Sequence, residues 1–200
     1  LFQGGDKEAY NMSTDIFVVD TPFLIAKLEE EAAKEEPRKL RYVLRDLAVA
    51  ENAFAYEYTG YLSNIHSVKA YFDANLDMLE SHKFYKLFAP NQKVYTKVKN
   101  EEPTYYSDSS EVKLSQFASG SIVRGKVENS VISRNVDLSE GSSVSHSILF
   151  PRVKVAKGAT VEYAIVDKGV EIAEGVTIRG TENNPVVIKK GSVVTEDIVR

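Results

Sequence analysis

The chain has 200 residues, 43% of them hydrophobic and 27% charged, with a formal net charge of −4 and no cysteine. That length suffices for one or two domains with real cores. The missing cysteines exclude disulfides and thiolate metal sites, and they fit a reducing, cytoplasmic setting. The weakly acidic balance offers no surface for nucleic acid, and no apolar run approaches the ~18 residues of a membrane span.

The first residues, "LFQGG", are neither an initiator Met nor a signal peptide. Residues 1–5 read as a remnant of an engineered protease-cleavage site, which implies a piece of a longer protein. "DIFVV" at Asp15–Val19 reads as a buried strand. Thr21 is placed to cap a helix whose first turn holds Pro22. Leu24, Ile25, Leu28 and Ala32 share one face of it, and the run "EEEAAKEE" reads as a solvated face.

A second helix is predicted over Leu40–Ala50, with Leu40, Val43, Leu44, Leu47 and Ala48 at helical spacing. "AFAYEY" alternates Phe54, Tyr56 and Tyr58, as a strand does. "SVKAYFDANLDMLE" predicts a third helix, capped by Ser67 and burying Val68, Tyr71, Phe72, Leu76 and Leu79. Residues 6–83 are thus α/β material short of a full doubly wound sheet. Residues 84–116 read as a linker, "KVKNEE" included.

From residue 117 onward the chain repeats itself. The triplets Val136-Asp137-Leu138, Val153-Lys154-Val155 and Val170-Glu171-Ile172 lie 17 apart (153 − 136 = 17), and a glycine follows each, at Gly141, Gly158 and Gly175. Val144, Val161 and Ile178 keep the same spacing, as do Val131, Ile148 and Ile165. Three short strands per unit make a triangular coil, and stacked coils bury their inward Val, Ile and Leu in one column. Residues 117–200 therefore predict a parallel β-helix of hexapeptide repeats with about five coils. A β-sandwich is the weaker reading, because the register holds at several positions at once.

Gly141, Gly158, Gly175 and Gly191 are predicted to stack along one corner that requires φ > 0. His146 lies in "VSHSI", read as a regular strand with no loop extruded around it. It is taken as structural, since a catalytic base needs an acceptor within reach.

The order of these motifs resembles the C-terminal half of the ADP-glucose pyrophosphorylase (glucose-1-phosphate adenylyltransferase) family, over about residues 11–188. "GYLSNIHSVKAYFDANLDMLE" is similar to that family's Gly-Tyr-Trp-x-Asp-Val-Gly-Thr turn and following helix. "KVYTKVKNEEPTYY" resembles its linker, and "SILFPRVKVAKGATVEYAIVDKGVEI" its β-helix. The resemblance implies a left-handed β-helix and a link to glycogen biosynthesis, in which the family makes ADP-glucose from ATP and glucose 1-phosphate with Mg²⁺.

Departures from the pattern matter as much as the matches. The family's metal-binding Asp falls on Asn64, and the glycine after it is His66. Mg²⁺ favours a carboxylate over a neutral carbonyl. The sugar-facing Ser is kept as Ser13, but Asp15 stands where the family has Gly. The phosphate-binding loop and the Glu-Lys-Pro motif are absent. The resemblance is therefore closest to the family's non-catalytic, regulatory companion, the GlgD type. It implies no catalytic residue, metal or cofactor in this chain, Mg²⁺ belonging to the catalytic subunit. The implied partner is that catalytic subunit, in a heterotetramer, with neither nucleic acid nor membrane involved. Two alternatives stay open: a hexapeptide acyltransferase, or a subunit of another sugar-1-phosphate nucleotidyltransferase.

Overall fold

The computed structural model describes residues 2–3, 10–11, 13–50, 53–91 and 93–200, so Leu1 and Gly4–Gly5 of the expected remnant lie outside the described residues. Phe2–Gln3 and Tyr10–Asn11 pair antiparallel. The chain divides into two compact units, Leu1–Thr59 and Gly60–Arg200.

The first unit holds helix α1, Thr21–Ala32, and helix α2, Leu40–Ala50. Asp20, not Thr21, caps α1: its carboxylate accepts from the Phe23 amide at 3.0 Å. Capping needs an extended residue before the first helical turn, and Asp20 has that backbone (φ −61°, ψ 131°) whereas Thr21 is already helical. Glu31 departs from the solvated-face reading, being only 5% exposed. Arg38 holds it with Nε 2.9 Å from Oε1, and the same guanidinium reaches Asp46 on α2 at 2.6 Å. Hydrogen bonds from Arg38 and Lys34 lower the Glu31 carboxyl to about 2.

Neither strand expected in this unit forms. Asp15–Val19 and Phe54–Tyr58 carry no strand pairing, and Ile16, Val18, Phe54 and Tyr56 are 79%, 101%, 98% and 91% exposed. Alternation makes a strand only where a neighbouring chain completes the ladder, and the described residues of this unit supply none there. The expected α/β material is, among the described residues of this unit, two helices, extended chain and the short Phe2–Gln3/Tyr10–Asn11 pair.

The second unit opens with helix α3, Val68–Leu76, a 3-10 turn at Asp77–Leu79, and helix α4, Ser81–Leu87. Ser67 caps α3, its Oγ accepting from the Ala70 amide at 3.1 Å. These helices group with the repeat, so the chain divides at Thr59/Gly60 and not at residue 83.

A parallel β-solenoid of three sheets follows, with six, six and five strands on faces one, two and three. Face one stacks Tyr105–Tyr106, Ile122–Val123, Asp137–Leu138, Lys154–Val155, Glu171–Ile172 and Val193–Val194. Face two runs from Glu111–Lys113 to Ile198–Val199, and face three from Gln116–Phe117 to Val186–Ile188. The solenoid begins at Tyr105, inside the segment read as linker, and has about six turns instead of five. Its first turn is hidden in the sequence because the coil between Glu111 and its partner Lys126 has 15 residues, not 17 (126 − 111 = 15).

Inside, Val136, Val153 and Val170 are 1%, 0% and 0% exposed and belong to one continuous apolar column. Gly141, Gly158 and Gly175 take φ of 71°, 69° and 72° and stack through Gly158 N–H to Glu140 O and Gly175 N–H to Lys157 O. Gly191 does not join them. Its N–H donates to Lys168 O, which seats it above Gly169 on the corner after face three. The cause is an insertion: face-one partners Glu171 and Val193 are 22 apart (193 − 171 = 22), five more than the repeat, and the excess is extruded around the bridged pair Thr181 and Asn184.

The remaining corner is built without glycine through four coils. Leu114, Asn129, His146 and Tyr163 all have φ of 45–47°, a conformation that costs a non-glycine residue about 1–2 kcal/mol. A serine ladder behind it offsets that cost. Ser130 Oγ donates to Glu128 O and accepts from the Ser147 amide; Ser147 Oγ donates to Ser145 O and accepts from the Ala164 amide, at 2.7–3.1 Å. Both serines are 0% exposed. Ser147→Ala strands the buried Ala164 amide and is expected to cost about 1–3 kcal/mol. Thermal unfolding of the variant checks this, and an unchanged midpoint would mean that the ladder contributes nothing.

Candidate functional site

Two places gather the residues singled out by sequence. The first is the loop from Tyr61 to Ser67. It is short, carries no helix or strand, and is fastened at both ends. Tyr61 Oη donates to Asp77 Oδ2 at 2.9 Å, and Ser67 caps α3. Lys83 of α4 reaches the other Asp77 oxygen at 2.6 Å and Glu80 at 2.7 Å. Burial first, then the Asp77 carboxylate, raises the Tyr61 phenol above its usual value, so it stays protonated and donates.

Between the two anchors Asn64 is exposed. Its backbone carbonyl accepts from the His66 amide at 3.1 Å and lies 3.0 Å from His66 Nδ1. His66 is thus folded back on its own loop. This donor set, a neutral amide beside Ser63 and His66, does not fit Mg²⁺, which favours charged oxygen ligands. Among the described residues no group of three or more His, Asp or Glu is placed to hold a metal.

Ser13 lies in the other unit, where its Oγ accepts from the Asp15 amide at 3.2 Å. Asp15 has φ 57°. That left-handed backbone suits the glycine that the resemblance puts at this position, and Asp is among the few other residues that tolerate it. Ser13 and Asn64 belong to different units.

The second place is a cleft within the solenoid unit. One wall is α3 and the 3-10 turn, with Lys69, Asp73 and Asp77; the other is the glycine-free corner, with Asn129, His146 and Tyr163. His146 therefore sits at a turn, not within a strand. The reading of an unextruded repeat also changes: Glu182 of the Thr181–Asn184 excursion, which leaves the same corner one coil beyond Tyr163, lines this cleft. The His146 ring stacks on Tyr163 with centroids 4.8 Å apart and planes at 19°, and its Nδ1 is buried without a hydrogen-bond partner. The walls carry Asp73, Asp77, Glu80 and Glu182, with Lys69 paired to Asp73 and Lys83 to Asp77 and Glu80, so no cation there is left without a carboxylate partner to meet the anionic phosphates of an acyl-CoA. The acyltransferase alternative draws no support from this cleft.

The family described as "GlmU-like, C-terminal hexapeptide" matches residues 100–199, half of the chain and the whole solenoid. The chain belongs to that family. Within this hexapeptide family its curated relatives are specific. It is 40% identical over 141 residues to the glycogen biosynthesis protein GlgD of Bacillus subtilis, covering 70% of this chain and 41% of that protein. It is 53% identical over 127 residues to GlgD of Geobacillus stearothermophilus, covering 64% and 37%. A glucose-1-phosphate adenylyltransferase of Mycoplasma mobile is 31% identical over 105 residues, covering 52% and 27%. The chain spans about two fifths of the length of the GlgD proteins it matches.

Sequence reasoning missed Asp77 as the knot that ties Tyr61 and Lys83 together, since nothing in spacing marks a carboxylate 16 residues from its partner. It also missed Glu182. The signal was present there, in the turn-rich "GTENNP" that breaks the 17-residue period.

Proposed function

We propose that this chain is the C-terminal part of a regulatory, non-catalytic subunit of a glucose-1-phosphate adenylyltransferase. It supports a catalytic partner in forming ADP-glucose from ATP and glucose 1-phosphate for glycogen biosynthesis in the cytoplasm. What carries this reading is Asn64, an exposed neutral amide that the resemblance puts where the catalytic family has its metal-binding carboxylate. The higher identity to GlgD proteins than to the adenylyltransferase of Mycoplasma mobile supports it. In this reading Mg²⁺ belongs to the partner's site. Among the described residues no helix is long and apolar enough to cross a membrane.

The solenoid's role here is to present ordered outer faces for assembly. Face one carries an alternating ladder on its outside, Asp137, Lys154 and Glu171, with Lys154 Nζ 2.7 Å from Glu171 and Arg124 2.8 Å from Asp137. Such paired surfaces set register and partner choice more than affinity. Co-expressed with its catalytic counterpart, the intact protein is expected to elute as one hetero-oligomer of tetramer size on size-exclusion chromatography. Two separate peaks at micromolar concentration would contradict the proposal.

A further inference from the structure

The corner after face three is an electropositive edge of the solenoid. Its coils stack through Asn135 N–H to Ser119 O, Arg152 N–H to Arg134 O, Gly169 N–H to Pro151 O and Gly191 N–H to Lys168 O. That stacking brings a cation from each of four successive coils onto one line: Arg134, Arg152, Lys168 and the neighbours Lys189 and Lys190. Adjacent strands lie ~4.8 Å apart, so the line is roughly 15 Å long. Arg134 is half-buried and lies 3.5 Å from Glu101. Arg152, Lys168, Lys189 and Lys190 are exposed and enter no ion pair among the described residues. Asp167 turns its carboxylate onto the Lys168 amide at 2.7 Å, and on face one Asp137 is held by Arg124 and Glu171 by Lys154. The corner after face one differs: beside its stacked glycines Glu140, Lys157 and Glu174 alternate in sign.

Arg152 makes this line more than a solvated edge. It has φ 63°, a left-handed backbone that disfavours a residue with a Cβ. Neighbouring coils fill the same position with Asn135, Gly169 and Gly191, which adopt it readily. The Arg152 guanidinium makes no hydrogen bond or ion pair among the described residues, so nothing inside the molecule offsets the strain. Strain without an internal return points to a use outside the molecule.

We propose that this cationic ridge seats an acidic protein surface. Assigning that surface to the catalytic partner rests on the proposed regulatory function; the chemistry of the ridge does not. A small phosphate is bound by cations that converge on one point in a concavity. Here they stand in file along a convex corner. A nucleic acid broad enough to cover the corner also meets Asp137, Glu171 and Asp167, which repel it. An acidic helix fits better, because glutamates one turn apart repeat every ~5.4 Å, close to the ~4.8 Å rise of the coils.

The test is titration of the full chain with an oligo-glutamate peptide at low salt. The unaltered chain is compared with Arg152→Glu/Lys168→Glu, with Arg152→Gly and with Lys86→Glu/Lys157→Glu. Lys86 and Lys157 are exposed cations elsewhere on the same unit, so the last variant has the net charge of the first. Reversal on the ridge is expected to weaken peptide binding about ten-fold more than the control does. Arg152→Gly is expected to bind more weakly yet melt no lower than the unaltered chain, since glycine takes that backbone freely. No peptide binding by the unaltered chain, or equal weakening by the control, would overturn the inference. So would a lowered melting of Arg152→Gly, which would make Arg152 structural. Tighter binding of inorganic triphosphate or of a DNA duplex than of the peptide would also overturn it. In the co-expressed pair, reversal on the ridge is expected to shift the hetero-oligomer toward separate species. A pair that assembles unchanged would overturn the catalytic subunit as the occupant. An unaltered protein that never pairs would remove the regulatory reading instead.

Discussion

Val153→Asp is expected to unfold the solenoid. Val153 is fully buried and sits between the apolar Val136 and Val170 in the inner column, with the polar Ser121 two coils away on the far side of Val136. An unpaired charge there forfeits hydration with nothing in return, a cost of at least about 4–5 kcal/mol. A solenoid amplifies such damage, because each coil is stabilised mainly by its two neighbours and a failed central coil leaves two short stacks. Circular dichroism melting should show a greatly lowered or absent transition. Lys154→Gln, one residue on but facing solvent, should shift stability by no more than about 1 kcal/mol, since it removes only an exposed ion pair. Equal melting of Val153→Asp and the unaltered chain would refute the inward assignment.

The intact protein from which this chain comes is expected to make ADP-glucose slowly or not at all on its own. A metal-assisted transfer depends on charge at the metal, and losing one well-placed electrostatic group typically costs ~10²–10³ in rate. In the proposed reading Asn64 stands where the family has the carboxylate, and His66 folds back onto the Asn64 carbonyl. Pyrophosphate release from ATP and glucose 1-phosphate, at least a hundred-fold below that of an adenylyltransferase relative, is the expected reading. Turnover equal to that of the relative would show that the neutral amide suffices. Asn64→Asp alone should recover little, because His66 is unchanged.

The parts legible in the sequence were those where local chemistry decides. The 17-residue period exposed the solenoid because every coil repeats the same inward positions, Val136, Val153 and Val170 among them. Helices α2 and α3 followed from spacing and, for α3, from the Ser67 cap. The parts that were not legible depend on partners distant in the chain. The "DIFVV" and "AFAYEY" segments alternate like strands, yet strands need a neighbour, and the described residues give them none. Gly191 fell on the wrong corner because a five-residue insertion nearly restored the period by coincidence. His146 looked like a strand residue because the corner it occupies is turned without glycine, held instead by buried serines that read as ordinary polar positions. Val131, Ile148 and Ile165 were visible as a repeat, but not that Phe72, 59 to 93 residues earlier, packs against their outward side. For the loop from Tyr61 to Ser67, the Asp77 fastening was not legible, because a tertiary hydrogen bond leaves no spacing behind.

The measurement that bears most directly on the regulatory reading is the rate of pyrophosphate release by the catalytic subunit with and without the intact protein. Both are assayed at concentrations where they elute as one species. The predicted result is a mixture clearly faster than the catalytic subunit alone, or saturated at lower substrate, while the intact protein alone remains near background. A mixture no faster and no tighter than the catalytic subunit by itself would contradict a regulatory role for the protein that carries this chain.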